Sequence, residues 1–190
     1  MNTRTPPGLL DPFTVDVNVD TGEMPTARNH LVRRASDMRG YYRSEAALAA
    51  LIAAGNPLHY EVFEVPVPET YGNLMYCISK LQPGKVGDEF FMTKGHYHIV
   101  PETAEIYLCL RGEGYMMMKT AEGKWNAQKM RRGQMVYVPS YWAHRSVNTG
   151  SEPLVSFCVY PAEAGHNYGD IATEGFPRRI FDRAGKTVME

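Results

Sequence analysis

The chain has 190 residues, the length of one domain with extensions, and 44% of them are hydrophobic, enough for a sizeable core. A formal net charge of −1 gives no electrostatic case for a nucleic-acid or membrane partner, and no apolar run reaches the ~18 residues that cross a bilayer. Three cysteines, Cys77, Cys109 and Cys158, sit inside strand-like runs and read as buried reduced thiols; with no apolar signal core in Met1–Gly8, they imply a cytoplasmic protein.

Residues 1–56 read as an arm and a helix packing on a barrel formed by residues 57–190 with a C-terminal extension, a single domain overall. Up to about residue 26 the chain is extended and rich in proline and glycine. Phe13, Val15, Val17 and Val19 alternate with polar residues there, the pattern of a half-buried strand over Phe13–Val19. Residues 27–42 hold His30, Arg33, Arg34, Asp37 and Arg39 and read as a solvated charged face. From Glu45 an alanine-rich run predicts a helix, capped by Ser44 and ended by Gly55. His30 and His59 read as structural or exposed.

Beyond His59 the sequence breaks into short β-branched and aromatic runs separated by Gly, Pro and Asn. These are 60–67, 74–81, 89–93, 106–110, 114–119, 125–130, 135–138, 144–148 and 154–160, and the tail reads as a hairpin turning at Gly185. Many short strands with regular turn signals predict an all-β sandwich or barrel. The apolar run Gly114–Met118 predicts a strand buried on both faces. The segment Ala162–Asp170, glycine-rich, polar and aromatic, reads as a loop walling a site.

The chemistry concentrates in Thr93–Glu105. His96 and His98 are two apart, so on extended backbone both imidazoles face one space. Glu105 opens the next apolar run, and His144 lies at the end of Met135–His144. Three neutral imidazoles and one carboxylate suit a divalent transition metal. Gly112, Gly133, Pro139 and Asn148 fall around these residues in a spacing that resembles the two motifs of the cupin superfamily, over residues 87–148. The resemblance implies a jelly-roll barrel, the double-stranded β-helix. Three departures mark a particular branch. The glycine before the first histidine is displaced to Gly87, six residues separate His98 from Glu105, and Tyr141 stands where the second motif has glycine.

The runs Thr93–His98, Glu105–Tyr107 and Asn167–Phe176, with Ala35–Gly40, resemble the cupin-type glucose-6-phosphate isomerases, from about Arg33 to the C-terminus. That resemblance implies a metal-dependent aldose–ketose isomerase acting on a phosphorylated hexose through a cis-enediol. It assigns His96, His98, Glu105 and His144 to one divalent metal, with Fe2+ first and Mn2+, Ni2+, Co2+ or Zn2+ as alternatives. Glu105, His166 and Tyr160 are the implied catalytic residues. Tyr60, Thr93 and Gly95 match phosphate contacts, Ser79 replaces a threonine, and Tyr107, Tyr141 and Tyr168 match residues near the sugar; Lys94 is either a phosphate screen or solvated. A direct hydride shift competes with proton transfer, and mannose 6-phosphate remains an alternative substrate. The rival readings are a cupin dioxygenase with the same metal shell and a non-catalytic sugar-binding cupin. Exposed sheet edges and a long arm suggest a homodimer.

Overall fold

A computed structural model describes residues 10–190. In chain order the strands are β1 (Asn29–Arg34), β2 (Leu58–Glu64), β3 (Leu74–Leu81), β4 (Lys85–Val86), β5 (Glu89–Phe90), β6 (Glu105–Arg111) and β7 (Glu113–Lys119), then β8 (Trp125–Arg131), β9 (Met135–Val138), β10 (Ala143–Asn148), β11 (Leu154–Pro161), β12 (Ile180–Arg183) and β13 (Lys186–Met189). Helices α1 (Glu45–Ala53) and α2 (Gly169–Glu174) interrupt them. The strands form a six-stranded sheet in the order β1-β2-β3-β11-β6-β9, a three-stranded sheet β10-β7-β8 and a four-stranded sheet β13-β12-β5-β4, all antiparallel.

A main core runs through the molecule, with a smaller cluster of Met24, Val65, Ile78 and Val155 beside it. Met116, Met117 and Met118 of β7 are at most 4% exposed, so this strand is buried on both faces as its composition predicts. On α1 the Ser44 hydroxyl accepts from the Ala47 N–H at 3.1 Å, and Leu48 is fully buried. Such a short helix is held by that packing rather than by propensity. His59 is structural: the Tyr42 hydroxyl, itself accepting from the Met92 N–H, donates to His59 Nε2, and burial lowers the imidazole pKa to about 3.

The elements depart from the sequence reading in several places. Phe13–Val19 pairs with no strand; only Asn18 bridges to Glu23. The alternation survives as packing, because Val15 and Val17 lie on the outer side of the large sheet against Ile78 and Val155 while Phe13 and Val19 stay exposed. Residues 27–42 are not simply a charged face: β1 pairs with β2, and Met38 is fully buried. The β2 ladder stops at Glu64, two residues before Pro66, which has no N–H to donate. After β5, isolated bridges Met92–Val147 and His96–His144 replace a continuous strand to Thr93.

Candidate metal centre and its cavity

The backbone first brings the histidines together. His96 N–H donates to His144 O at 3.2 Å and His144 N–H donates back to His96 O at 3.1 Å. This close approach needs glycine at 95. Gly95 has φ +79°, and a Cβ there would lie 2.9 Å from the Arg145 Cβ and 3.0 Å from His144 O.

The six-residue spacer between His98 and Glu105 has a structural reason. It turns so that the Thr103 hydroxyl donates to Val100 O at 2.6 Å. With its proton spent there, Thr103 Oγ1 accepts from His98 Nδ1–H at 2.8 Å. That fixes the tautomer and leaves His98 Nε2 bare, as a metal ligand requires. The same spacer ties to the loop before β10, since Tyr141 N–H donates to Pro101 O at 2.7 Å. Tyr141 has φ +69°, so a tyrosine occupies a left-handed position at the place where the cupin motif has glycine.

One donor atom from each of His96, His98, Glu105 and His144 lies within 4.8 Å of the other three. Glu105 Oε2 is 3.2 Å from His98 Nε2 and 2.9 Å from His144 Nε2. The latter contact has no hydrogen-bond geometry: the Nε2 atoms of both His144 and His96 are shielded from solvent and unpartnered. Bare imidazole nitrogens facing a carboxylate in a dry pocket repel it unless a cation sits between them. The donor set therefore fits a divalent metal held by three neutral nitrogens and one anionic oxygen. Burial and the neighbouring imidazoles push the His96 pKa well below 6.5. Thr103→Val removes one partner of His98 Nδ1 and leaves the backbone carbonyl; metal affinity, read by competition with a chromophoric chelator, falls about tenfold.

Three of these donors, His96, Glu105 and His144, border a cavity of about 310 Å³. Tyr60, Ser79, Thr93, Gly95, Tyr107, Tyr160, His166 and Tyr168 all line it. Tyr141 does not. Its ring is 58% exposed and its hydroxyl donates to Glu102 Oε1 at 3.3 Å, outside the cavity, because the left-handed turn at 141 directs it outward. His166 and Tyr168 arrive on the segment after β11, which Asn167 pins to Tyr97 through reciprocal backbone bonds of 2.8 and 3.1 Å. Lys119 holds its far end, α2, by an ion pair of 2.8 Å to Glu174. The His166 ring lies 4.4 Å from that of His96 and 5.5 Å from that of Tyr160. The Tyr160 hydroxyl donates to Glu64.

The sequence reading passed over Asn29, Leu31, Val62 and Glu64, which form the wall contributed by β1 and β2. The alternation 29/31 and 60/62/64 was the available signal. Cys77 and Cys158 also face this cavity, directly opposite each other on β3 and β11, as free thiols.

An antiparallel jelly-roll with three histidines and one glutamate gathered between its sheets defines a cupin. The fold matches an oxalate oxidase solved in complex with the substrate analogue glycolate, at TM-score 0.50 and 18% identity over 64% of this chain and 60% of that one. The family is narrower than the fold. The glucose-6-phosphate isomerase (GPI) family model matches residues 32–189, and the chain belongs to that family. It is 44% identical over 180 residues to the glucose-6-phosphate isomerase of Thermococcus litoralis, covering 95% of this chain and 94% of that one. It is 45% identical over 179 residues to that of Pyrococcus furiosus, covering 94% of each. A putative glucose-6-phosphate isomerase 2 of Rhizobium meliloti is 40% identical over 178 residues, 93% of this chain and 89% of that one.

Proposed function

We propose that this protein is a metal-dependent aldose–ketose isomerase interconverting glucose 6-phosphate and fructose 6-phosphate. The observation that carries the reading is the buried three-histidine, one-glutamate cluster opening onto a tyrosine-lined cavity, in a chain of the GPI family. At about 310 Å³ the cavity falls in the range of small-ligand sites. His96, His98, Glu105 and His144 hold the cation. When bound, a divalent cation acts as a Lewis acid that polarises the substrate's carbonyl oxygen. Iron(II) is the proposed native metal, on the family resemblance.

The chain's own groups supply the rest. Tyr60, Thr93 and Gly95 face the phosphate end. The tyrosine rings wall the apolar face of the sugar, and their hydroxyls donate to its oxygens. Burial pushes the Tyr107 and Tyr160 hydroxyls upward, so both stay protonated donors. His166 takes the proton from C2 of the aldose and returns it to C1, as a neutral base whose pKa burial holds below 6.5. The protein works as a cytoplasmic homodimer. Three free buried thiols support the compartment, and the exposed apolar side chains Ile106, Met135 and Tyr137 on the outer side of β6 and β9 support the dimer.

The test is a coupled assay of glucose 6-phosphate formation from fructose 6-phosphate, before and after stripping with a strong chelator. Activity disappears with the metal and returns on adding Fe2+; turnover by protein shown to be metal-free would refute the reading.

A further inference from the structure

Arg33 is the charge in this region that the structure leaves unexplained. It was expected on a solvated face. Instead it is half-buried on β1, directly opposite Tyr60 of β2. Residues 29 and 31 of the same strand line the cavity, so position 33 points to the same side. Its charge reaches Tyr60, Tyr168 and Lys94, all cavity residues.

No carboxylate answers it. Among the described residues, Arg43, Arg111, Arg179 and Arg183 each pair with Glu or Asp, whereas neither Arg33 nor Lys94 has an anion within 4.0 Å. The Arg33 Nε is shielded from solvent and unpartnered. The nearby acids hold neutral donors and form no ion pair with it, although the charge of Asp37 reaches Lys94. Asp37 accepts from the Arg34 N–H at 2.7 Å, and Glu64 accepts from Asn29 and Tyr160. A half-buried guanidinium beside the cavity, without an ion pair and with its Nε unpartnered, is incomplete without an anion, and Lys94 on the cavity wall adds a second unpaired cation. The metal-binding donors, which carry the one buried carboxylate of the cluster, form a separate part of the same wall. The cavity is therefore polarised, with a cation-binding group in one part and an anion-demanding pair in another.

We infer that Arg33, seconded by Lys94, receives the phosphate dianion of the substrate and sets the preference of this site for phosphorylated over unphosphorylated sugar. The guanidinium offers a planar fork of donors that matches two phosphate oxygens, which an ammonium does not. This inference rests on the isomerase reading for the identity of the substrate. Its own content is that an anion is held through Arg33.

The experiment uses the metal-loaded protein and two variants, Arg33→Gln and Arg33→Lys, each checked for unchanged metal content. In Arg33→Gln the KM for fructose 6-phosphate and the inhibition constant of inorganic phosphate both rise about 10- to 100-fold, the effect of losing charge-assisted hydrogen bonds, while kcat changes by less than about threefold. Arg33→Lys keeps the charge without the fork and shows an intermediate rise. Inorganic phosphate raises the melting temperature of the parent protein and fails to do so in Arg33→Gln. A phosphate inhibition constant unchanged in either soluble variant overturns the inference. If the parent protein turns over no hexose phosphate, the isomerase reading fails instead, and the phosphate-dependent melting shift still reports whether Arg33 holds an anion.

Discussion

Replacing His144 by alanine yields a folded protein with no bound metal and isomerase activity at least about a thousandfold below the parent. The expectation follows from what the imidazole does and what it does not do. Its Nε2 is one of the four donors clustered within 4.8 Å, it approaches Glu105 Oε2 at 2.9 Å, and it makes no hydrogen bond of its own. The paired strand supplies no replacement nitrogen, because Met118, the residue opposite it on β7, carries only a thioether. The fold is spared because the strand is tied through backbone groups. The reciprocal bonds between residues 96 and 144 do not involve side chains, and β10 remains paired with β7 from Ala143 to Asn148. Metal content by elemental analysis, the coupled assay and circular dichroism decide the matter together. His144→Ala protein that keeps a full equivalent of metal would dismantle the proposed ligand set.

The centre was legible because chemistry and spacing coincide there. Histidines two apart on extended backbone share a face, and a carboxylate at the start of an apolar strand points into the same core. The long spacer before Glu105 was legible only as an anomaly; its reason, the Thr103 turn that orients His98, depends on contacts that no periodicity reveals. The core strands could be read from their apolar runs, and β3 and β9 match to the residue. β1 could not. It is the edge strand of its sheet, with solvent on one side and a polar cavity on the other, so neither face is apolar and Asn-His-Leu-Val-Arg-Arg looks like surface. The same physics hid Arg33. Helix α2, six residues long, is too short for helical periodicity to show. Tyr141 misled in the opposite sense: it stands in the second motif, two residues from the loop's last turn into β10, yet its backbone conformation carries the ring away from the cavity.

The second large effect separates binding of the metal from movement of the proton. Two groups in the cavity are candidates for the base, and their surroundings push them apart. Glu105 is buried among the three imidazoles as the anionic member of the metal-binding set, and a carboxylate bound to a cation has little affinity for a proton. His166 is neutral at working pH, its pKa lowered by burial, and its ring forms no hydrogen bond among the described residues. It stands against His96 and Tyr160 at the mouth of the metal-binding donors, where a bound sugar must pass. A base poised near the operating pH is the more effective. His166→Gln therefore keeps its metal and its KM within a few-fold, and kcat falls about 10²- to 10⁴-fold. The pH profile adds a sign. In the parent, kcat/KM is lost as pH falls through the pKa of His166, below 6.5, because the protonated ring has no lone pair; in His166→Gln that acid limb is absent. Solvent deuterium completes the argument. Turnover in heavy water places deuterium on C1 or C2 of the product in the parent and proportionately less in the variant. Product free of deuterium at full turnover, together with an unchanged kcat in His166→Gln, would mean that hydrogen passes directly between the two carbons, leaving His166 no proton to carry.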